Sequence, residues 1–313
     1  MNDITASAGT ALQQSGITSG TFGAFIDYLD VSAKTLRTYR AALASFGAFL
    51  QENAITMPKR ADVIAWREAI RGVYAASTVQ LYLTAVKMFF RFTASNELYP
   101  NVADNIHGLH ISREHTKDHM TKKQVNKVMD TIADSKTEIQ ALRDKAMFML
   151  MTACGLRCIE VSRADVDDLR ALGDETVVYV HGKMRDDKQD FEIVPEQVET
   201  ALREYLTARG AKSGEPLFMC TGNRQGIGGR MSTRSISKII SSALDAAGLK
   251  SDRLTAHSTR HTAMTTACMC GESLQAVQQF ARHSNINTTM IYVHNIDRMR
   301  NDCSRRVASY LFG

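Results

Sequence analysis

Between Gly155 and Tyr292 the chain carries its chemistry-bearing residues in short segments set far apart, and that spacing constrains the fold more than any other feature. Gly155-Leu156-Arg157-Cys158-Ile159-Glu160 comes first, followed by Gly182-Lys183. His257-Ser258-Thr259-Arg260-His261 opens a helical pattern about a hundred residues after the first segment. Ala281-Arg282-His283 then leads, nine residues on, to Tyr292. Two arginines, a lysine, two histidines and a tyrosine form the set needed to cut a phosphodiester without a metal. Only a domain that brings these segments together can use them.

The rest of the chain divides around that requirement. Residues 1–16 are small and polar and read as a loose arm. Leu36, Tyr39, Leu43, Phe46 and Leu50 recur at steps of three and four, which gives one apolar helix face. Asp62-Val63-Ile64-Ala65-Trp66 reads as a short helix, and Val79, Leu83, Val86 and Phe90 form a second stripe. Ser77 and Gln80 have capping-box spacing at the start of that stripe. No alternating pattern interrupts, so residues 17–108 are expected to form an all-helical bundle.

Residues 109–119 are polar and unperiodic and read as a linker to a second domain over 120–313. Thr121 to Gln124 again has capping-box spacing. A helix containing Ala141, Leu142, Ala146, Met149, Leu150 and Ala153 is expected to end on a left-handed Gly155. Thr176–Val180 and Asp190–Val194 flank a polar turn and predict one β-hairpin. Gly222 to Gly229 reads as a mobile loop without a P-loop ending. Ile296, Met299, Cys303, Val307 and Leu311 predict a terminal amphipathic helix over 296–313. The expected fold is therefore mainly α with a small β-sheet.

Composition narrows the functional classes. Net charge is +5, of which residues 1–119 carry +1 and the remainder +4, so if DNA is the partner its positive face has to arise by segregation of charge. No apolar run is long enough to span a bilayer, and no basic, apolar leader opens the chain. Six cysteines without a secretory signal read as reduced thiols in a cytoplasmic protein. His257 and His261 with nearby Cys268 and Cys270 lack zinc-ligand spacing. Neither metal nor cofactor is expected.

Cleaving a phosphodiester calls for a nucleophile, neutralisation of charge on the non-bridging oxygens and a proton for the leaving oxygen. Arginine suits the second task because its planar fork donates paired hydrogen bonds and stays charged. Arg157 and Arg260 are placed to clamp one phosphate from separate segments. Tyr292, with an ordinary pKa near 10, needs a histidine and neighbouring positive charge to lose its proton. Lys183 is the candidate donor to the leaving oxygen.

In composition, order and spacing these segments resemble the tyrosine recombinase (phage integrase-like) family, in its simple Cre or Xer type. The family's Gly-Leu-Arg-x-x-Glu motif is matched at Gly155, Leu156, Arg157 and Glu160, and its hairpin lysine at Lys183. Its His-x-x-Arg-His motif is matched at His257, Arg260 and His261, and its Gly-His element and tyrosine at His283 and Tyr292. Ala281-Arg282-His283 replaces a frequent Leu-Gly-His, and Thr259 a leucine; both departures are read as falling on packing neighbours.

The resemblance implies a SAM-like core-binding domain over 17–108 and a mixed α/β catalytic domain over 120–313. It implies catalytic roles for Arg157, Lys183, His257, Arg260, His283 and Tyr292, with Tyr292 as nucleophile. The expected activity is site-specific recombination of double-stranded DNA carrying inverted-repeat sites. It would proceed through a 3′-phosphotyrosyl intermediate and a Holliday junction, without metal or ATP. A homotetramer would act on DNA, with the 296–313 helix docking in the neighbouring protomer. Accessory proteins are left open. A type IB topoisomerase-like nicking-resealing enzyme and a catalytically silent DNA-binding regulator are the alternatives.

Overall fold

A computed structural model describes residues 17–109, 118–134, 137–181, 190–221 and 228–313, apart from the side chains of 294, 295 and 297–300. The 1–16 arm, most of the 109–119 linker, the hairpin turn with Lys183 and the 222–227 part of the glycine-rich loop lie outside the described residues. The chain divides into two compact units, Met1–Arg113 and Glu114–Gly313.

Among the described residues, four helices build the first unit: α1 (Ser19–Tyr28), α2 (Ala33–Glu52), α3 (Arg60–Arg71) and α4 (Ala76–Ser95). The two apolar stripes face each other as α2 packs on α4. Phe46 meets Trp66 edge-on at 5.2 Å and Phe90 at 5.9 Å. Each of these rings is fully buried. Trp66 also donates from Nε1 to Ser45 Oγ at 3.2 Å, so its one polar atom is satisfied. Truncating Trp66 to Ala would cost about 3–5 kcal/mol, because the cavity cannot collapse around so large a loss.

The second stripe is buried as expected, but the start of its helix differs. α4 begins at Ala76 with no side-chain cap, and Ser77 lies inside the first turn. Ala75 is the N-cap instead, its carbonyl accepting from the Thr78 and Val79 amides at 2.8 and 3.0 Å. The Gln80 side chain lies over Gly108, where an added Cβ would fall 1.5 Å from Gln80 Oε1, and does not fold back on the helix start.

The second unit is built from α5 (Lys122–Ala133), α6 (Glu138–Ala153), α7 (Cys158–Arg163), β1 (Leu169–Leu172), β2 (Glu175–Val180), β3 (Asp190–Ile193), α8 (Glu196–Ala208), α9 (Thr233–Ala246), α10 (Ala256–Met269), α11 (Leu274–Ala281), α12 (Ile286–Arg300) and α13 (Cys303–Phe312). The capping box at α5 forms as read: Thr121 Oγ1 accepts from the Gln124 amide and Gln124 Oε1 from the Thr121 amide.

The expected hairpin is extended by a third strand, giving an antiparallel sheet in the order β1-β2-β3. β1 has no apolar alternation because most of it faces solvent. It is held instead by a turn at Gly173 (φ +63°) and by Arg170 stacked 4.7 Å over the Tyr179 ring.

α10 is buried almost all round and runs through the middle of this unit against α6, α9, α11 and α12. That placement carries its polar residues, including Arg260 and His261, into the interior.

The terminal element departs from the single helix expected over 296–313. Asn301 and Asp302 are non-helical, and Asn301 Oδ1 accepts from the Cys303 amide at 2.9 Å. This local side-chain bond ends α12 and starts α13 anew. Ile296 belongs to the same helix as Tyr292 and is buried in a cluster with Met264, Val277 and Tyr292. By contrast, every residue from 301 to 313 is exposed.

Candidate active site

Gly155 ends α6 in the left-handed region (φ +62°), as expected. A Cβ there would lie 2.6 Å from Met264 Cε and 3.4 Å from Ala263 Cβ, so glycine is what lets the end of α6 approach α10. The chain then turns directly into α7, whose N-cap is Arg157. Glu160, in the first turn of α7, accepts from the Arg157 amide at 2.8 Å and from Arg157 Nη1 at 2.6 Å. One carboxylate thus caps the helix and orients the guanidinium.

Arg260 reaches the same place from α10. Its Nη1 donates to the carbonyl of Gly155 and its Nη2 to the carbonyl of Ala281. Arg157 Nη2 donates to that same Ala281 carbonyl at 3.4 Å. The two arginines therefore share a seat at the C-terminal end of α11. Burial lowers Arg260 to about 10, with the neighbouring Arg157 charge adding to the effect, yet it stays charged at neutral pH.

After Ala281 the chain reverses at Arg282, whose backbone is left-handed (φ 50°, ψ 47°), and enters α12. His283 Nδ1 lies 3.0 Å from the buried Thr289 Oγ1, and its ring stacks on Tyr292 at 6.4 Å. Tyr292 is 5% exposed. Its phenolic oxygen lies 2.8 Å from His261 Nδ1, and the His261 ring meets that of His257 edge-on at 4.6 Å. Burial pushes Tyr292 up to about 12, against the pull of Arg260 and Arg157.

The structure thus gathers Arg157, Arg260, His283 and Tyr292, with exposed His257 beside His261 at the rim. Lys183 lies outside the described residues. His261 is a motif position outside the expected catalytic set, and it is the histidine hydrogen-bonded to the tyrosine. Its place one residue after Arg260 was the available signal, though sequence does not say which histidine α12 will meet.

The departure at Arg282 also reads differently in three dimensions. It is no simple packing neighbour, because its side chain ion-pairs with Glu160 at 3.0 Å and with Glu192. Thr259, the other departure, is buried and donates to the Ala256 carbonyl at 2.8 Å. Among the described residues no group of three or more His, Cys, Asp or Glu is arranged to hold a metal ion.

Residues 118–299 match the phage integrase family, and residues 23–97 match the phage integrase N-terminal SAM-like domain. Tyrosine recombinase XerC of Chlamydia trachomatis serovar D is 30% identical over 306 residues, covering 87% of this chain and 92% of its own. That of Corynebacterium glutamicum is 28% identical over 278 residues, covering 86% and 85%. The XerH site-specific recombinase bound to a palindromic difH substrate superposes with a TM-score of 0.74 at 19% identity, over 88% of this chain and 80% of that one. A lambda integrase from a tetramer on a Holliday junction gives 0.69 at 14% identity, over 89% and 78%. These two share the fold, mostly helical with a small sheet. The chain belongs to the phage integrase family, the tyrosine recombinases.

Proposed function

We propose that Arg157, Arg260, His257, His261, His283 and Tyr292 form the strand-cleaving centre of this site-specific DNA recombinase. The observation that carries the assignment is the bond between Tyr292 and His261 beside two arginines that share one carbonyl. Tyr292 Oη attacks the scissile phosphorus, its proton passes to His261, and the P–O5′ bond breaks. A phosphotyrosine is left on the 3′ end. Arg157 and Arg260 exchange their shared carbonyl for the phosphate oxygens, where charge grows in the transition state. Lys183 protonates the leaving 5′-oxygen. The 5′-hydroxyl of the partner strand reverses the step, so no ATP is consumed.

A nicked suicide substrate tests the assignment, because loss of the short 5′ fragment traps the adduct. Tyr292→Phe is expected to bind DNA and form no adduct. An adduct in that variant would remove Tyr292 from the role. The topoisomerase-like and catalytically silent readings draw no support from the relatives, which are named tyrosine recombinases.

The four-helix unit is proposed as the core-binding domain, and the working form as a homotetramer on paired inverted-repeat sites. The exposed α13 supports the latter. Val307 and Leu311 lie one turn apart on it, with Tyr310 and Phe312 also exposed. An apolar groove of about 830 Å³ in the same unit, lined by Met120, Val125, Met149, Ala263, Val277 and Phe280, offers a seat for the α13 of a second copy. The site of action is proposed to be the cytoplasm, where the DNA is. No helix among the described residues is long and apolar enough to cross a membrane.

A further inference from the structure

Arg282 occupies a backbone conformation that glycine adopts freely and other residues adopt at a cost. An arginine kept there needs a return, and the structure shows where that return comes from. The Arg282 side chain is only 8% exposed and spans two carboxylates, the buried Glu160 on α7 and the partly buried Glu192 on β3. Glu160 Oε2 faces Arg282 while its Oε1 holds Arg157 Nη1. The order across the site is therefore Glu192, Arg282, Glu160, Arg157, with Arg157 at the end nearest solvent.

We propose that Arg282 is a positioning residue for strand cleavage, holding the Glu160 carboxylate in the orientation that aims Arg157 at the scissile phosphate. Without Arg282 the Glu160 carboxylate is held by Arg157 alone, through its amide and its Nη1, and can shift together with that residue. Clamped between two guanidiniums it has a single orientation, and the Arg157 fork inherits that orientation. Glu192 anchors the far side of Arg282, from the sheet. Charge supports the same arrangement. Arg157, Arg260 and Arg282 stand against Glu160 and Glu192, an excess of one positive charge left for the phosphate. The burial that pushes Glu192 up to about 7 enlarges that excess near neutral pH.

The inference rests on the reading of Arg157 as part of the phosphate clamp, and the test separates the two. Single-turnover adduct formation at saturating suicide substrate is measured beside DNA affinity and thermal melting. Four variants are compared with the unaltered chain: Arg282→Gly, Arg282→Lys, Glu160→Gln, and Arg282→Gly combined with Glu160→Gln. Glycine suits the left-handed backbone, so the turn itself is kept. Arg282→Gly is expected to keep DNA affinity and to cut the adduct rate by about ten- to a hundredfold, the scale of a misplaced catalytic group. Arg282→Lys should fall between the two, keeping the charge but losing the fork.

On the Glu160→Gln background the glycine substitution should cost less than about threefold more, because residues acting through one another are not additive. If Arg282→Gly strands Glu192 and prevents folding, Arg282→Gly with Glu192→Gln removes the stranded carboxylate and is expected to show the same loss of rate. An adduct rate within about threefold of the unaltered chain, or a loss that multiplies fully with that of Glu160→Gln, would overturn the inference and leave the clamp intact. No adduct from the unaltered chain would overturn both.

Discussion

The phenolic oxygen of Tyr292 and Nδ1 of His261 are 2.8 Å apart, although 31 positions separate the two residues in the chain. The contact exists because α12 packs on α10, which places Tyr292 over the helix that carries Arg260. Burial holds Tyr292 near 12, so the proton that it must lose at neutral pH needs a base already in place. His261→Ala is therefore expected to slow adduct formation by about a hundredfold or more, the range for loss of a general base. A rate within a few-fold of the unaltered chain in single-turnover assays would reduce His261 to a packing partner of the ring.

Arg157→Lys and Arg260→Lys should each lower the cleavage rate by about a hundredfold or more, as for a lost oxyanion donor. Each guanidinium already reaches the Ala281 carbonyl, a geometry that a lysine ammonium with its single point charge does not reproduce. DNA affinity, read by gel shift, should change little. Loss of binding in proportion to loss of rate would count against a role confined to the transition state.

Cleavage should proceed in excess chelator with no nucleotide added, because side chains supply the charge stabilisation. The measurement is adduct yield with and without EDTA. A chemical step that depends on added Mg²⁺ would replace the arginine clamp with a metal mechanism.

Removing residues 303–313 should leave one protomer bound to one site and abolish synapsis and strand exchange. The cut belongs at Cys303 and not at Ile296, since Ile296 is buried beside Tyr292 and its loss would disturb the packing of that tyrosine. Phe280→Glu, on the partly buried wall of the apolar groove, should reproduce the defect when placed in the receiving copy. Normal recombination by the truncated chain would make α13 a local appendage.

Glu192 gives the fold a signed pH dependence. Burial raises its carboxyl from 4.5 to about 7, so between those values the folded chain binds a proton that the unfolded chain has released. The stability linked to that proton is full below about 4.5 and is lost as pH rises through about 7. Glu160 acts in the opposite sense but is lowered, so it titrates outside this window. The Tm is expected to fall between about pH 5 and pH 8, with the dependence flattened in Glu192→Gln. An equal slope in that variant would show that the carboxyl does not titrate there.

The helical stripes in α2 and α4, the Thr121 cap, the Gly155 reversal and the main hairpin were legible because each depends on residues close in sequence. Side-chain period and cap chemistry act over a few positions, and local order suffices to read them. β1 escaped notice since an exposed edge strand carries no burial pattern. Ser77 and Gln80 make no cap at α4, where Gln80 lies against Gly108, a neighbour far along the chain that local spacing does not reveal.

Family spacing along the chain marked Arg157, Arg260, His283 and Tyr292, but only the packed helices decided that Tyr292 meets His261. They also decided that Arg282, in a glycine's conformation, bonds the carboxylate that holds Arg157. The break at Asn301 is likewise a local bond, yet its consequence is tertiary: Ile296 goes inward with Tyr292 and α13 is left exposed. Motif order follows from the covalent chain. Which charged groups share a buried volume follows from how the helices pack, because burial selects the pairs that can be satisfied together.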